Sequence, residues 1–193
     1  MNTKPVSPRG LARLVAIGLL AVGLPTAKGQ TTPPPSASGG NTASSSSSSD
    51  SLTYGERRFI KKAVESSAQE VQLAQLAGDK ASNSAVRMYA LHMVPEHEQL
   101  DSDLQNLARE KGVDIDTSKT QGHEYKSLAK ESGADFDKAF VKDMVSDHED
   151  VVKLFERTAN EAKDPDIRAL ANKYLPILLQ HFDQAKNLRN SVQ

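Results

Sequence analysis

The chain has 193 residues, a formal net charge of −1, 5% aromatic residues and no cysteine. A near-neutral balance excludes a protein that coats nucleic acid through a basic surface, so no nucleic-acid partner is expected. The lack of cysteine excludes a disulfide scaffold, a thiolate zinc site, a CxxC redox motif and a Cys-anchored lipoprotein.

Residues 1–29 read as a secretory signal. Lys4, Arg9 and Arg13 give a positive start, residues 14–24 are an uninterrupted apolar run, Pro25 ends it, and Ala27-Lys28-Gly29 has the small-x-small form of a cleavage site. The run falls short of the roughly 20 residues that span a bilayer. Export to the periplasm, with or without outer-membrane association, is therefore expected, and no stable transmembrane span after cleavage; an uncleaved anchor is the alternative. Residues 30–52 hold Pro33-Pro34-Pro35, Gly39-Gly40 and the serines at positions 44–49. Such a segment cannot bury enough surface to offset its ordering entropy and is expected as a disordered linker. Losing Lys4, Arg9, Arg13, Lys28 and Asp50 with the first 50 residues leaves 20 basic and 24 acidic residues, net −4. A mildly acidic domain disfavours anionic partners and tolerates cations.

The remainder, 53–193, is predicted to be all-α: a four-helix bundle with helices over 54–80, 83–111, 134–162 and 165–191. Thr53-Tyr54-Gly55-Glu56 is a capping box ahead of the first. Ser82 or Asn83 starts the second, which stops at Lys111-Gly112. Ser132-Gly133-Ala134-Asp135 offers a cap for the third, and Asp164-Pro165 starts the fourth with an N-cap and a proline in the first turn. The short connections make each pair an antiparallel hairpin. Residues 112–133 join the hairpins and contain a short extra helix near 124–130. A connection that long can run the length of a bundle, as in ferritin-like folds; a plain up-down bundle with a decorated loop is the other topology.

Steps of three and four residues trace one apolar face on each helix. The first runs Phe59, Ala63, Ser66, Glu70, Leu73, Ala77; the second Val86, Ala90, Met93, His97, Leu100, Leu104, Leu107. The third runs Val141, Met144, His148, Val151, Phe155, Ala162, and the fourth Ile167, Ala171, Tyr174, Leu178, His181, Ala185, Leu188, Val192. Each stripe is broken near one height, by Glu70, His97, His148 or His181. If the first helix continues through Gly78, all four lie about 11–17 residues from their hairpin turns, one central layer at about 1.5 Å per residue. An ionised Glu in a core is costly unless paired. Three His and one carboxylate complete a four-coordinate shell, with zinc the first choice and copper or iron the alternatives. A metal-free Glu–His hydrogen-bond network is the competing reading.

Met93-Val94-Pro95-Glu96-His97-Glu98 is echoed by Met144-Val145-Ser146-Asp147-His148-Glu149. Met93 and Met144 lie one turn before the histidines; a thioether there would suit copper, and core filling is the bland alternative. Glu96 and Asp147 flank the histidines by about 100°. They could orient ring N–H groups, ligate a second ion, or stay solvated. Pro95 and Pro176 fall inside helical patterns and are expected to kink them. His92 and His123 lie off the stripes and read as surface residues. No nucleophile–base pair and no GxSxG, Walker A, HExxH or GxGxxG pattern occurs, and no organic cofactor is expected.

The segments Glu70 to Leu73, Met93 to His97, Gly133-Ala134-Asp135-Phe136-Asp137, Met144 to His148, and Leu175-Pro176 followed by His181 occur in the order of the exported bacterial family catalogued as domain of unknown function (DUF) 4142, which the chain resembles over about residues 53–190. The resemblance implies a ferritin-like bundle behind a signal peptide and no established activity. The family's recurrent polar positions match Glu70, His97, His148 and His181, while Glu96 stands where the family usually has Asp. Di-iron ferritin-like enzymes use Glu-x-x-His, whereas Val94, Val145 and Leu178 precede these histidines by three, so a ferroxidase is not supported. The expectation is an exported metal-binding bundle, not an enzyme. Its rivals are a metalloenzyme acting on oxygen species and a metal-free envelope module whose protein partners the sequence does not name.

Overall fold

The computed structural model describes residues 51–116 and 122–192. The expected signal segment and the linker up to residue 50 lie outside the described residues. Five helices follow in order: α1 (Tyr54–Lys80), α2 (Ser84–Glu110), the short α3 (His123–Leu128), α4 (Gly133–Glu161) and α5 (Pro165–Ser191). No strand occurs among the described residues. The chain is an all-α four-helix bundle with a short extra helix in its long central connection. No helix among the described residues is long and apolar enough to cross a membrane.

The helix ends are set by local chemistry. At α1 the Thr53 hydroxyl accepts from the Glu56 N–H while the Glu56 carboxylate accepts from the Thr53 N–H, a reciprocal box. Asn83, rather than Ser82, caps α2, accepting from the N–H groups of Ala85 and Val86. Asp164 does the same for α5 with Asp166 and Ile167, and Pro165 takes the first helical position. Ser132 stands at the N-cap of α4 without a side-chain bond, and Gly133 takes φ 58°, where a Cβ would be strained. Helix α1 runs through Gly78 to Lys80, which keeps Glu70 at mid-bundle. Both α2 and α5 continue through their internal prolines.

Two acidic side chains fix how the hairpins meet. Glu56, in the first turn of α1, accepts from the backbone N–H groups of Lys163 and Asp164 in the α4–α5 turn, each at 2.8 Å. Asp137, in the first turns of α4, accepts from the N–H groups of Ser82 (3.0 Å) and Asn83 (2.8 Å) in the α1–α2 turn, and from the Ser82 hydroxyl. Each hairpin therefore lays a carboxylate over the turn of the other. The start of α1 meets the end of α4, and the start of α4 meets the end of α1, so α1 and α4 are antiparallel and α2 and α4 parallel. Lys111 and Ser132, the ends of the central connection, consequently lie at opposite ends of the bundle, about 40 Å apart for helices of this size. This is the ferritin-like topology with one crossover, and the plain up-down alternative does not occur. Around the bundle α1 packs on α2 and α4, and α5 on α4 and α2.

The core is divided in two. One apolar cluster, towards the α4–α5 turn, contains Phe59, Ile60, Leu104, Phe155, Ile167 and Leu178. The other, towards the α1–α2 turn, contains Leu73, Tyr89, Met93, Phe136, Phe140 and Met144. Between them lies a layer of buried polar side chains.

Candidate functional site

The layer is built from one residue of each long helix: Glu70 on α1, His97 on α2, His148 on α4 and His181 on α5, all between 0 and 2% exposed. Each occupies a core-facing helical position, so burial of its apolar neighbours carries it inward. Ser67, one turn before Glu70, is buried as well and donates its hydroxyl to the His97 carbonyl at 3.0 Å. The apolar stripe passes through Ser66, which is only half-buried; Ser67 holds the inward position. The Tyr89 hydroxyl donates to the His181 carbonyl at 3.3 Å.

The contacts form a chain across the bundle. Glu96 Oε2 lies 2.5 Å from His181 Nε2, and His181 Nδ1 lies 3.2 Å from His97 Nε2. His97 Nδ1 is 3.1 Å and His148 Nε2 3.7 Å from Glu70 Oε2. His148 Nδ1 lies 3.0 Å from the Met144 carbonyl. One ring nitrogen from each of His97, His148 and His181 falls within 4.8 Å of the other two.

Proton positions follow from what each end of the chain accepts. A carbonyl only accepts, so His148 carries its proton on Nδ1 and turns the Nε2 lone pair to Glu70. The Glu96 carboxylate accepts, so His181 carries its proton on Nε2 and its Nδ1 accepts from His97 Nε2–H. Neutral His97 then turns an Nδ1 lone pair to Glu70. The imidazoles are held neutral. Burial keeps His97 well below its ordinary pKa, aided by His148 and His181. Burial and His181 bring His148 down to about 3 against the Met144 hydrogen bond. Burial lowers His181 against the pull of Glu96. The two nitrogens that face Glu70 consequently bring no hydrogen to it. Both its oxygens, His97 Nδ1 and His148 Nε2 are buried with no hydrogen-bond partner. Burial, with the negative charges of Asp147 and Glu124, pushes the Glu70 carboxyl well above its usual range. A proton on Glu70 would serve one of its two nitrogen neighbours and leave the other unserved.

Glu70 is reached from one side. A groove of about 680 Å³ runs between α1 and α4, with Glu70 in its wall beside Gln69, Glu124 and Asp147. The Gln69 amide donates to Glu124 on α3. Asp147 is half-buried there, and burial, reinforced by Glu124 and Asp143, brings its carboxyl up to about 7.

The residues flanking the layer part company. Glu96 holds His181, whereas Asp147 faces the groove on the opposite flank and makes no histidine contact. Met93 and Met144 are fully buried in the apolar cluster on the α1–α2 side of the layer. His123 is exposed. His92 is exposed as well, but its Nε2 lies 3.6 Å from Glu96 Oε2 and its ring 6.1 Å from that of His181. Sequence periodicity misses His92 because it sits beside the core stripe, at the rim facing α5. Its spacing of four from Glu96 was the available signal.

A family model described as a domain of unknown function (DUF4142) matches residues 41–188. A crystal structure of a DUF305 fragment from Deinococcus radiodurans is similar to the bundle with a TM-score of 0.63 and 15% identity, covering 72% of this chain and 98% of that one. A structure of CopM in the Cu(I)-bound form is similar with a TM-score of 0.62 and 15% identity, over the same shares of the two chains. At this identity the likeness is one of fold. No curated protein is significantly similar in sequence.

Proposed function

We propose that this chain, which belongs to the DUF4142 family, is an exported, non-enzymatic bundle that binds one transition-metal ion in its core. Glu70, His97 and His148 would hold the ion, with His181 fixing the tautomer of His97 from behind. The observation that carries this reading is the set of buried, partnerless atoms converging on Glu70, two nitrogen lone pairs and a carboxyl whose one proton can serve only one of them. Buried polar atoms without partners are rare because each costs about 1–3 kcal/mol, more when charged. A cation supplies the missing partner for all of them together. Ligands 2.0–2.1 Å from a tetrahedral zinc ion stand about 3.3 Å apart, and the distances of 3.1 and 3.7 Å from Glu70 Oε2 to the two nitrogens bracket that value. Two imidazoles and a carboxylate are borderline to hard donors, which favours zinc, with copper second. The fold shared with CopM, a protein described in a Cu(I)-bound form, supports keeping copper in view.

A second reading, a metalloenzyme acting on small oxygen species, is favoured by one observation: Glu70 lies in the wall of the open groove between α1 and α4, which could admit a small molecule beside it.

The test is elemental analysis of the chain purified without a polyhistidine tag or chelator. About one equivalent of zinc or copper should survive dialysis in a His92→Ala chain, which lacks the exposed histidine beside Glu96, and vanish when His97→Ala and His148→Ala are added. Failure of the chain to hold any metal after incubation with Zn²⁺ and Cu²⁺ would overturn the reading and leave a buried polar network.

A further inference from the structure

The face formed by α2 and α5 lies opposite the groove, and it carries three more donor groups. His92 and Glu96 stand one helical turn apart on α2, and Glu96 reaches across to His181 on α5. His92 Nε2 is 3.6 Å and His181 Nε2 2.5 Å from Glu96 Oε2, and one donor atom from each of the three lies within 4.8 Å of the others. The side chain of His92 is 51% exposed and that of Glu96 33%, while His181 is fully buried. Two imidazoles and a carboxylate so placed match the three-ligand sets of open zinc sites, with the remaining position left to water.

We propose that His92, Glu96 and His181 form a second, solvent-open site for a divalent transition metal, and that it competes with the core site through the shared imidazole of His181. The site itself does not depend on the core ion; the competition rests on the core reading. An ion on the outer site takes the Nε2 lone pair of His181, so the single proton of that neutral ring must sit on Nδ1. Nδ1–H then donates to His97 Nε2, which must offer a lone pair. The proton of His97 moves to its Nδ1, the atom that faces Glu70. Each ring keeps one proton, but His97 no longer has a lone pair for the core ion. The argument runs equally in reverse. An ion on His97 Nδ1 places the His97 proton on Nε2, the His181 proton on Nε2, and blocks the outer site. Filling both at once requires removing a further proton from an imidazole. Two ions 84 sequence positions apart in their ligands are thereby coupled by one hydrogen bond of 3.2 Å. An ion arriving from solvent would meet His92 and Glu96 first, which makes the outer site a loading position.

The test is titration of metal-free full-length chain with Zn²⁺ against a competing chelator, for the parent, His92→Ala and Glu70→Leu. Leucine removes the core carboxylate without offering an N–H to His97 Nδ1, so the tautomers of His97 and His181 stay free to change. His92 is exposed, so its alanine variant should fold normally, and a cooperative circular dichroism melt in chelator would establish folding for both variants. Each variant should bind one equivalent. The parent should bind a second equivalent at least tenfold more weakly than the variant that keeps only that site. If folded Glu70→Leu binds no zinc, the outer site is overturned. If the parent binds two equivalents with the affinities of the two variants, the competition is overturned. If instead His92→Ala binds none while Glu70→Leu binds one, the core reading fails and the outer site stands.

Discussion

Glu70→Gln should stabilise the metal-free protein while abolishing its core site. Both oxygens of Glu70 are buried without a donor, and the two nitrogens facing it offer only lone pairs. A glutamine of nearly the same shape carries no charge and brings two N–H donors. One is placed for His97 Nδ1, 3.1 Å from the present oxygen, and the other lies towards His148 Nε2 at 3.7 Å. Burial favours the neutral form of Glu70, whose single O–H serves one nitrogen; supplying a donor towards the group it leaves orphaned is worth on the order of 2 kcal/mol, the middle of the range for such groups. For a domain of this size that raises Tm by about 6 °C. Zinc should act the other way round. At a hundredfold excess over Kd the ion adds about 2.7 kcal/mol to a protein that binds it and nothing to one that does not. The comparison belongs in a His92→Ala background, so that zinc can act only at the core. Calorimetric melts in chelator and in excess zinc should therefore cross: the glutamine variant melts higher without metal and lower with it. A metal-free glutamine variant that melts below its parent would show that a donor does reach the carboxylate, and the reasoning from orphaned atoms would fall.

Other consequences follow from the clamps and the histidines. Removing the Glu56 carboxylate with Glu56→Ala abolishes its bonds to Thr53, Lys163 and Asp164 and should cost about 3 kcal/mol, read by chemical denaturation. Burial alone would raise the Glu56 carboxyl, but the N–H groups of Asp164, Thr53 and Lys163 and the Thr53 hydroxyl outweigh it and bring it down to about 2. A lowered folded value means stability fully present above the ordinary 4.5 and lost as pH falls towards 2, so the loss over that window should be smaller in Glu56→Gln than in the parent. Asp137→Ala, at the other end, should cost about 2 kcal/mol in the same assay and leave zinc stoichiometry unchanged, because it holds only the α1–α2 turn. For His148, burial lowers the folded value from 6.5 to about 3. The metal-free protein should therefore keep this contribution above pH 6.5 and lose it on acidification towards 3, and His148→Ala should show a shallower fall of stability with pH over that range.

Much of this arrangement is legible in the sequence because helices write it locally. The caps at Thr53, Asn83 and Asp164 are each decided within three or four residues. So is the inward position of Glu70, His97, His148 and His181, since each shares an apolar stripe with residues one turn away. What is not written locally is who meets whom. Glu56 reads as half of a local capping box and Asp137 carries no local signal, yet both accept from backbone N–H groups more than 50 residues away. Glu96 and Asp147 hold equivalent places in the repeated motif but face opposite flanks, and only the α2–α5 pairing gives Glu96 the buried His181. His92 has Glu96 one turn away on its own helix, but only the same pairing brings its ring to His181. Ser66 and Ser67 are adjacent, and which of them points inward depends on the exact rotation of α1.

The division of the core explains how the bundle tolerates a layer that works against its own stability. Phe59, Ile60 and Phe155 on one side, and Phe136, Phe140 and Leu73 on the other, are almost completely buried, and the carboxylate clamps tie the two ends of the bundle independently of the middle. Packing is thus secured at both ends of helices long enough to carry it, and the centre can hold groups that an apolar core would reject. If that centre served only to fix helix register, its hydrogen bonds would be complete, as a buried polar network is stabilising only when every member is satisfied. His181 and Glu96 meet that standard. Glu70 does not: it is the one ionisable carboxyl of the layer that faces lone pairs on both sides. Glutamine, of nearly the same volume, would turn an N–H to His97 Nδ1 without carrying an ionisable group, so a carboxyl at this position favours the reading as a ligand over that as a register pin. On the proposed reading the arrangement trades stability of the empty protein for affinity towards a cation, and the crossing of the two melting curves is where that trade becomes measurable.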